Sequence, residues 1–297
     1  MANVKTIKAK IKSTSNIKKI TRALEIVSTI KLQKLKKKAD SYKIFLHSFL
    51  STVYKVSNVL PIFSTSSDVS GMKKDLIIIV GSEKGLCGGL NVRLFKKIMH
   101  DFDPVSTDCF VVGKKAAEFC HKQGYQVVGK CHLKDDFSDV ELQNLYAFLH
   151  QTLKKNPYKT ISVVFNFFKN TLQQIPVILQ TYPLDRKVIE DFFTKIGISE
   201  LLIEKKPMFH GILLEPSRAK LAKSLSEQLM NYVVYGTVLQ NKTGEMAARM
   251  LAMKKAKDNA ADRIKYLTIA FNKARQGAIT QEIMEIVAAK AAITDEK

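Results

Sequence analysis

The seven prolines of this 297-residue chain all lie between Pro61 and Pro216. Proline inside an α-helix costs about 3 kcal/mol, because it removes a backbone hydrogen bond and its ring clashes with the preceding turn. Only the two flanks, residues 1–60 and 217–297, are therefore free to form very long helices. The first glycine is Gly71, so the amino-terminal flank also lacks the other common helix breaker.

Apolar residues in both flanks recur at alternating steps of three and four, the spacing of the a and d positions of a coiled coil. In the first flank the stripe runs in strict alternation from Leu35 to Leu60, and Ile17 and Ile20 extend it toward the amino terminus. The second stripe begins at Ala222. The residues that we expect along the coiled-coil seam are Leu35, Leu46, Phe49, Val53, Leu225, Leu229, Ile264, Leu267 and Phe271.

The length of the flanks decides how these stripes are buried. A single stripe is typical of the core-facing side of a bundle helix, but helices of these lengths would be about 85 and 115 Å long. We therefore expect them to pair antiparallel with each other, so that the shorter helix starts near residue 275 of the longer one. The last helical turns then project alone, either as a frayed end that folds back or as a helix surrounded by a partner.

Between the flanks, short β-branched runs alternate with helical patterns, which is typical of an α/β domain with a largely parallel sheet. The predicted strands are 76–80, 109–112, 125–128, 161–165 and 176–179, and the predicted helices are 90–100, 114–123 and 139–155. Ser217 or its neighbour is available to cap the following helix. The predicted organisation is a coiled-coil helix at 1–60, an α/β domain at 61–216, and a second coiled-coil helix with a projecting tip at 217–297.

Four glycines follow the first predicted strand, in the segment Gly81–Asn91. It lacks the Gly-x-Gly-x-x-Gly pattern, and Lys84 precedes Gly85 instead of standing in a Gly-Lys-Ser/Thr ending, so a nucleotide-binding loop is disfavoured. A tight strand-to-helix turn displayed to a partner is the better interpretation. Cys87 is either a reactive thiol at a helix amino terminus or, as we favour, a small packing residue.

The sequence carries no recognisable enzyme signature. Cys120-His121 and Cys131-His132 repeat a pair of metal-ligand residue types, but adjacent residues seldom point at one metal ion. The histidines show no pairing with a nucleophile, and the acidic residues of the middle domain show no acid/base motif. We therefore predict a non-catalytic chain with no metal and no other cofactor.

A formal charge of +21, from 48 basic and 27 acidic residues, predicts an acidic partner. Residues 1–60 carry 14 basic and 2 acidic residues, residues 61–216 carry 20 and 17, and residues 217–297 carry 14 and 8, so the excess lies on the flanks. One alternative function is a basic coiled-coil protein that binds nucleic acid. Its phosphate contacts would come from Lys34, Lys36, Lys37 and Lys38. The other interpretation of this run is a solvated helix face or a contact with acidic protein.

The cellular setting is also constrained by the sequence. Four cysteines in a chain of this length are too few for a secreted disulfide framework, which favours a reducing compartment. The longest apolar runs are far shorter than a membrane span, and the amino terminus lacks the apolar core of a signal peptide. We expect a soluble or peripheral protein with structure from residue one.

Four segments carry a resemblance to a known family: Ile7–Ser13, Lys19–Val27, Gly85–Asn91 and Asn272–Glu282. The last two are long and specific motifs. Through these segments the chain resembles, over its whole length, the γ subunit of F-type ATP synthases. The resemblance implies a central rotor, with an antiparallel coiled coil inside an α3β3 ring and a Rossmann-like domain at the foot beside the ε subunit and the membrane c-ring.

The resemblance also implies which residues meet the partner. Arg275 and Gln276 match the polar pair that meets a loop of the β subunit, and the turn from Lys84 through Gly85 to Cys87 matches the face met by an acidic helix-turn-helix of β. Catalysis would lie in β and not in this chain. The redox-regulatory cysteine insertion of chloroplast relatives is not evident. This favours a bacterial protein, peripheral at the cytoplasmic face of the inner membrane, with no direct nucleic-acid contact.

Overall fold

The computed structural model describes residues 4–57, 60–63, 74–135, 137–198 and 214–295. In these residues six helices and five strands alternate in the manner of an α/β protein with long flanking helices. The helices are α1 (Val4–Ser57), α2 (Leu90–Asp101), α3 (Lys114–Gln123), α4 (Asp139–Lys155), α5 (Arg186–Lys195) and α6 (Arg218–Asp295). The strands are β1 (Asp75–Val80), β2 (Thr107–Val112), β3 (Gln126–Cys131), β4 (Ile161–Phe168) and β5 (Gln174–Tyr182).

The predicted class, two long helices flanking a central α/β domain, is confirmed. α1 is a single helix of 54 residues and α6 a single helix of 78 residues. α6 begins one residue after Ser217, whose side-chain oxygen accepts a hydrogen bond from the Lys220 backbone N–H at 3.3 Å, as a helix cap does.

Helix α5 is not predicted from the sequence. This helix is rich in residue types that are common in strands, among them Val188, Ile189 and Phe192, so composition alone does not indicate a helix. Its start is nevertheless fixed locally, because the Asp185 carboxylate accepts a hydrogen bond from the Lys187 backbone N–H at 2.7 Å.

The five strands form one sheet in the order β3-β2-β1-β4-β5. The β1–β2, β1–β4 and β2–β3 pairs are parallel, and only β5 runs antiparallel to its neighbour β4. The order β3-β2-β1-β4 matches the first four positions of the Rossmann order 3-2-1-4-5-6. Pro176 lies on β5, where an edge strand tolerates the loss of one backbone N–H.

The sheet is covered on both faces, as parallel sheets generally are. Ile77 and Ile79 of β1 point to the face that carries α2 and α3, where they pack with Leu94 and Phe119. β2 is buried along its whole length. Hydrophobic burial on this scale, about 25 cal/mol per Å² of apolar surface, holds the layer together.

The chain groups into two compact units, residues 28–249 and residues 1–27 with 250–297. The division cuts α1 and α6, and the boundaries at 60/61 and 216/217 stay predictions.

In the unit of residues 28–249, α1 and α6 pack against each other antiparallel. The ring of Tyr42 meets that of Tyr235 with centroids 4.8 Å apart, and the ring of Phe49 meets that of Tyr232 at 4.7 Å. Phe49 follows Tyr42 on α1, whereas its contact Tyr232 precedes Tyr235 on α6, so the two helices run antiparallel here. The contact is mainly aromatic, and edge-to-face rings of this kind add about 1 kcal/mol per pair to the burial of their surface.

In the other unit, the start of α1 and the end of α6 are joined by an ion pair between Glu25 and Lys257, with 2.8 Å between the charged atoms. Ile17 and Ile20, which the predicted stripe includes, are 51% and 59% exposed, so that part of the stripe is wrong. The buried position on this turn is Thr21. Its hydroxyl is satisfied by the Ile17 carbonyl of its own helix at 3.0 Å, so this polar residue can occupy a buried position.

Candidate partner interface

The loop after β1, residues 81–89, leaves the carboxyl edge of the sheet and leads into α2. Its exposed residues are Lys84, Gly85, Leu86, Gly88 and Gly89. Cys87, in contrast, is buried and packs in a small apolar cluster with Leu90 and Ala248. One side chain therefore anchors the loop, while the residues on both sides of it face outward.

Leu86 stands at the apex of this loop with an unusual backbone conformation. Its φ is 63°, and within the described residues it is the one non-glycine residue with a positive φ. A side chain in this left-handed region costs about 1 kcal/mol. The Leu86 side chain is also 63% exposed, so burial within this chain does not offset that cost. Strain at an exposed apolar residue favours a role in contact with a partner.

The backbone of the loop is fixed by an arginine of α6. Arg249 donates hydrogen bonds from Nη2 to the Lys84 carbonyl and from Nε to the Gly85 carbonyl, both at 3.3 Å. Its guanidinium therefore links the exposed turn to α6 by hydrogen bonds, beside the apolar contact of Cys87 with Ala248. Arg249 itself is largely buried, with 9% of its side chain exposed.

Arg249 belongs to a group of three buried charged residues on α6, with Glu245 and Lys242. The Glu245 carboxylate is completely buried and lies 2.6 Å from Arg249 Nη2 and 3.6 Å from Lys242 Nζ. Lys242, also buried, donates a hydrogen bond to the Leu133 carbonyl at 3.0 Å. Buried charges are costly unless they are paired, so these three residues stabilise the fold only as a set.

Glu83 provides a second fixed point at the start of the loop. Its carboxylate accepts hydrogen bonds from the backbone N–H groups of Lys114 and Leu133, at 3.3 and 3.2 Å, and lies 3.1 Å from His132 Nδ1. Lys114 is the first residue of α3, so the carboxylate also sits at a helix amino terminus, where negative charge is favoured. The loop is thus tied to α3, to the end of β3 and to α6.

The structure supports the packing interpretation of Cys87 over the reactive-thiol interpretation. Burial, reinforced by the negative charge of Glu245, raises the pKa of Cys87 above its ordinary value. A raised pKa leaves little thiolate, the reactive form of cysteine, at neutral pH. Cys120 is buried in α3 and Cys131 ends β3. In the part of the chain that the structure describes, no cluster of three or more metal-ligand side chains suits a metal ion.

The second predicted contact lies near the end of α6. Arg275 and Gln276 are both exposed, in the unit formed by residues 1–27 and 250–297. From residue 279 to residue 290 every described side chain is exposed. The large apolar residues among them are Ile279, Ile283, Met284, Ile286 and Val287. An apolar, solvent-exposed helix of this kind is typical of a segment that a partner covers.

The seam residues predicted from the stripes fall in both units. Buried residues among them are Leu35, Leu46, Val53, Leu229 and Leu267, and half-buried residues are Phe49, Leu225, Ile264 and Phe271. None of the nine is exposed. These positions are those at which α1 and α6 exclude water within their own units.

Sequence reasoning missed the buried charges of α6. Lys242, Glu245 and Arg249 are spaced three and four residues apart, which is also the spacing of ion pairs on a solvated helix face. The available signal is the interruption of the apolar stripe at residues 240–245, which are all polar or small. Composition alone does not separate a buried ionic stretch from an exposed one.

Among the described residues, no helix combines the length and the apolar character that a membrane crossing requires.

The fold is similar to that of chains in solved ATP synthase structures. A chain of the Euglena gracilis mitochondrial ATP synthase, in an OSCP/F1/c-ring structure in rotational state 3, matches with a TM-score of 0.69 and 17% identity, over 98% of this chain and 94% of that one. A chain of the Tetrahymena thermophila central stalk and c-ring matches with a TM-score of 0.55 and 19% identity, over 80% of this chain and 99% of that one.

Sequence comparisons place the chain within a family. The family model described as ATP synthase matches residues 3–293. The ATP synthase gamma chain of Buchnera aphidicola subsp. Melaphis rhois is 33% identical over 304 residues, 99% of each chain. That of Haemophilus influenzae strain PittGG is 31% identical over 300 residues, 99% of this chain and 100% of the relative. The chain belongs to the ATP synthase gamma chain family.

Proposed function

We propose that this chain is the central rotor stalk of an F1Fo ATP synthase, transmitting rotation of the membrane c-ring to the catalytic β subunits. The observation that carries the proposal is the similarity to ATP synthase gamma chains over 99% of the length of both chains. The proposed partners are the α3β3 hexamer, the ε subunit and the c-ring. Ion flow through the membrane sector is thereby coupled to ATP synthesis.

In this proposal the chain is mechanical and not catalytic. Residues 1–60 and 217–297 form the coiled-coil shaft with its projecting tip, and residues 61–216 form the Rossmann-like domain that meets ε and the c-ring. The complex sits peripherally at the cytoplasmic face of a bacterial inner membrane. Support for a bacterial setting comes from relatives in Buchnera and Haemophilus, which match along the full chain.

The proposed contacts with β are of two kinds. Arg275 and Gln276 are exposed on the last part of α6, where a polar pair can hydrogen-bond to a loop of β. Lys84 and Gly85 are exposed on the turn after β1, where a cation and an accessible backbone suit an acidic helix-turn-helix. Cys87 is buried and supports this contact indirectly, because it packs the turn against Leu90 and Ala248 of the same chain.

Torque transmission requires two helices that resist separation and sliding. The buried seam and the aromatic contacts between Tyr42 and Tyr235 resist both within residues 28–249. Rotation then presents different faces of the shaft to each β subunit in turn. The resulting differences in contact energy bias β between its open and closed states, which is a mechanically driven population shift.

The charge of the chain fits the same role. Its excess of basic residues attracts acidic protein surfaces over a distance without requiring one fixed geometry, so the rotor is not locked at a single angle. One of the four lysines proposed above for phosphate contacts, Lys38, is engaged inside the fold. Lys38 Nζ lies 4.2 Å from the centroid of the Phe137 ring and donates to the Phe137 carbonyl at 2.9 Å.

The experiment that tests the proposal is purification of the tagged chain from its own cells, with mass spectrometry of the partners. We expect ATPase α and β subunits to co-purify in a threefold excess, with ATP hydrolysis in the preparation. Retention on bulk nucleic acid that falls steeply with salt, without α and β, would instead support the nucleic-acid-binding alternative. The comparisons give that alternative no support.

A further inference from the structure

The exposed turn after β1 has a conformation that its own sequence does not favour. Leu86 adopts a left-handed backbone at φ 63°, and a leucine there costs free energy that a glycine would avoid. The turn therefore requires contacts from outside itself to hold this shape. Within the described residues, Leu90 and Ala248 pack against Cys87 of the turn, and Arg249 binds the turn's backbone carbonyls.

The Arg249 contact depends on the shape of the guanidinium group. Two successive carbonyls, those of Lys84 and Gly85, each lie 3.3 Å from a different nitrogen of the same side chain. A planar fork with several fixed N–H groups can bind both acceptors at once, whereas a lysine ammonium offers a single centre. The pair of contacts fixes the peptide unit immediately before Leu86, and with it the direction of the turn.

The guanidinium is itself held from behind. Glu245 is completely buried and binds Arg249 Nη2 at 2.6 Å, while Lys242 lies 3.6 Å from the other carboxylate oxygen. Among the described residues, this second oxygen has no hydrogen-bond partner. The desolvation of three charged groups is a cost that an apolar cluster of the same volume would avoid. The cost is understandable if the charges fix the position of Arg249.

We propose that Arg249 is a positioning residue for the turn of residues 84–87: by binding the carbonyls of Lys84 and Gly85, it fixes the backbone that displays Leu86 to the β subunit. The part of this inference that concerns β rests on the function proposed above. The part that concerns the turn itself depends on this chain alone. Arg249 acts through the turn and does not itself touch the partner.

Cys87 gives a direct probe of the turn. Its thiol is buried between Leu90 and Ala248, so a maleimide can reach it only when the turn opens. Cys109 of β2 and Cys120 of α3 are fully buried in the core between the sheet and its helices, and they report unfolding of the domain. The experiment is alkylation of the full chain by N-ethylmaleimide, with the rate at each cysteine measured by peptide mass spectrometry.

In Arg249→Met we expect alkylation of Cys87 to accelerate at least about tenfold, because two charge-assisted hydrogen bonds no longer hold the turn closed. The rates at Cys109 and Cys120 stay as in the parent chain. Arg249→Lys keeps the charge beside Glu245 but not the fork, and we expect an intermediate rate. Arg218→Met, an exposed arginine at the start of α6, is the matched control and leaves all three rates unchanged.

An unchanged Cys87 rate in a folded Arg249→Met chain would overturn the inference. If all three cysteines react faster in that variant, the domain itself has loosened, and Arg249→Lys then decides. Selective acceleration of Cys87 in the lysine variant supports the inference, and equal acceleration at all three sites contradicts it.

The contact with β is tested separately, by ATP synthesis in membranes that carry the assembled complex. If Arg249→Met accelerates alkylation of Cys87 and also lowers the rate of coupled ATP synthesis, both the positioning role and the contact with β are supported. If alkylation of Cys87 accelerates but the rate of coupled ATP synthesis is unchanged, Arg249 is still the positioning residue, but the proposed contact of the turn with β is contradicted. Leu86→Ala, which alters the displayed side chain and not its anchor, must give the same coupled rate as Arg249→Met within a few-fold if display of Leu86 is what Arg249 secures.

Discussion

The Tyr42 hydroxyl donates a hydrogen bond of 2.7 Å to the backbone carbonyl of Tyr232, and so joins α1 to α6 in the middle of an aromatic contact. The same hydroxyl lies beside Gly236, where a Cβ atom would approach it to 2.7 Å. A bulky aromatic residue on one helix is thus matched by a glycine on the other. This pairing fixes both the separation of the helices and their register.

We expect Tyr42→Phe to lower the free energy of unfolding by about 1 kcal/mol, because it removes one buried hydrogen bond while keeping the ring. Urea denaturation followed by circular dichroism measures the change. Tyr266→Phe is the control, since Tyr266 is 62% exposed and its hydroxyl is free to bond with water. Equal stability of Tyr42→Phe and the parent chain would show that the hydrogen bond adds nothing to the ring contact.

Gly236→Ala should destabilise the chain, although alanine is the better helix former by about 1 kcal/mol. The new methyl group would lie 2.7 Å from Tyr42 Oη, closer than such atoms normally approach, so the Tyr42 side chain or one of the helices must shift and the hydrogen bond to Tyr232 is disturbed. Gly277→Ala is the matched control, because among the described residues no atom outside its chain neighbours and the local backbone of its own helix lies within 4 Å of the new methyl group, so the helix propensity acts alone. We expect Gly236→Ala to lower the free energy of unfolding measured by urea denaturation. We expect Gly277→Ala to slow amide hydrogen exchange at the end of α6, which indicates a more stable helix there.

These two contacts illustrate how much of the fold the sequence could predict. The three-and-four spacing identified Leu46 and Val53 as buried residues of a long helix, because periodicity survives without knowledge of the partner. It failed at Ile17 and Ile20, where the buried position is occupied by Thr21, whose hydroxyl is satisfied within its own helix. Apolar patterns do not reveal a polar residue that meets its hydrogen bonds locally.

The candidate site was predictable to a different extent. The exposed turn around Gly85 could be found from its glycines, which indicate a tight connection between strand and helix. Its anchor, Arg249, lies 164 residues further along the chain and binds the turn only after the sheet and α6 have formed. No local pattern contains such a contact, and the charge spacing around Glu245 is equally typical of an exposed helix face.

Glu245→Ala should be among the most destabilising single changes in residues 28–249, at about 3–5 kcal/mol, because it leaves Lys242 and Arg249 buried without a counter-charge. The exposed pair of Asp262 and Lys265, whose side chains are 76% and 79% exposed, is the matched comparison. Asp262→Ala is expected to change the free energy of unfolding by less than about 1 kcal/mol. Urea denaturation of both variants measures the contrast, and similar losses would contradict the role of burial.

The pH dependence of stability should include a contribution from Asp135. Burial acts to raise the pKa of this carboxyl, but the hydrogen bond and charge of Lys31, 2.5 Å away, outweigh it and hold the pKa below the ordinary value. A carboxyl with a lowered pKa in the folded state stabilises the fold at neutral pH. That contribution is lost as the pH falls below about 4, where the unfolded chain takes up the proton first.

Asp135→Asn therefore should reduce stability at pH 7 and flatten the decline of stability toward acid. The measurement is the free energy of unfolding between pH 7 and pH 3. Asp258→Asn is the control, since its carboxyl is largely exposed and lies 3.9 Å from Lys257 Nζ. If the free energy of unfolding declines equally toward acid in the parent chain and in Asp135→Asn, the ion pair of Asp135 with Lys31 does not contribute to the pH dependence of folding.

The last prediction concerns the end of α6 and the proposed contact with β. Replacing both Arg275 and Gln276 by Ala removes a charged and a polar side chain that are exposed in this chain, so the change leaves its own fold intact. We expect the coupled rate of ATP synthesis to fall roughly tenfold or more, because a charge-assisted contact in a shielded interface is lost. Lys273→Ala, two residues before the pair and also exposed, is the control for charge alone. The assembled complex is quantified by co-purification of α and β, which separates weaker assembly from weaker coupling. An unchanged synthesis rate together with unchanged assembly would refute the importance of the pair.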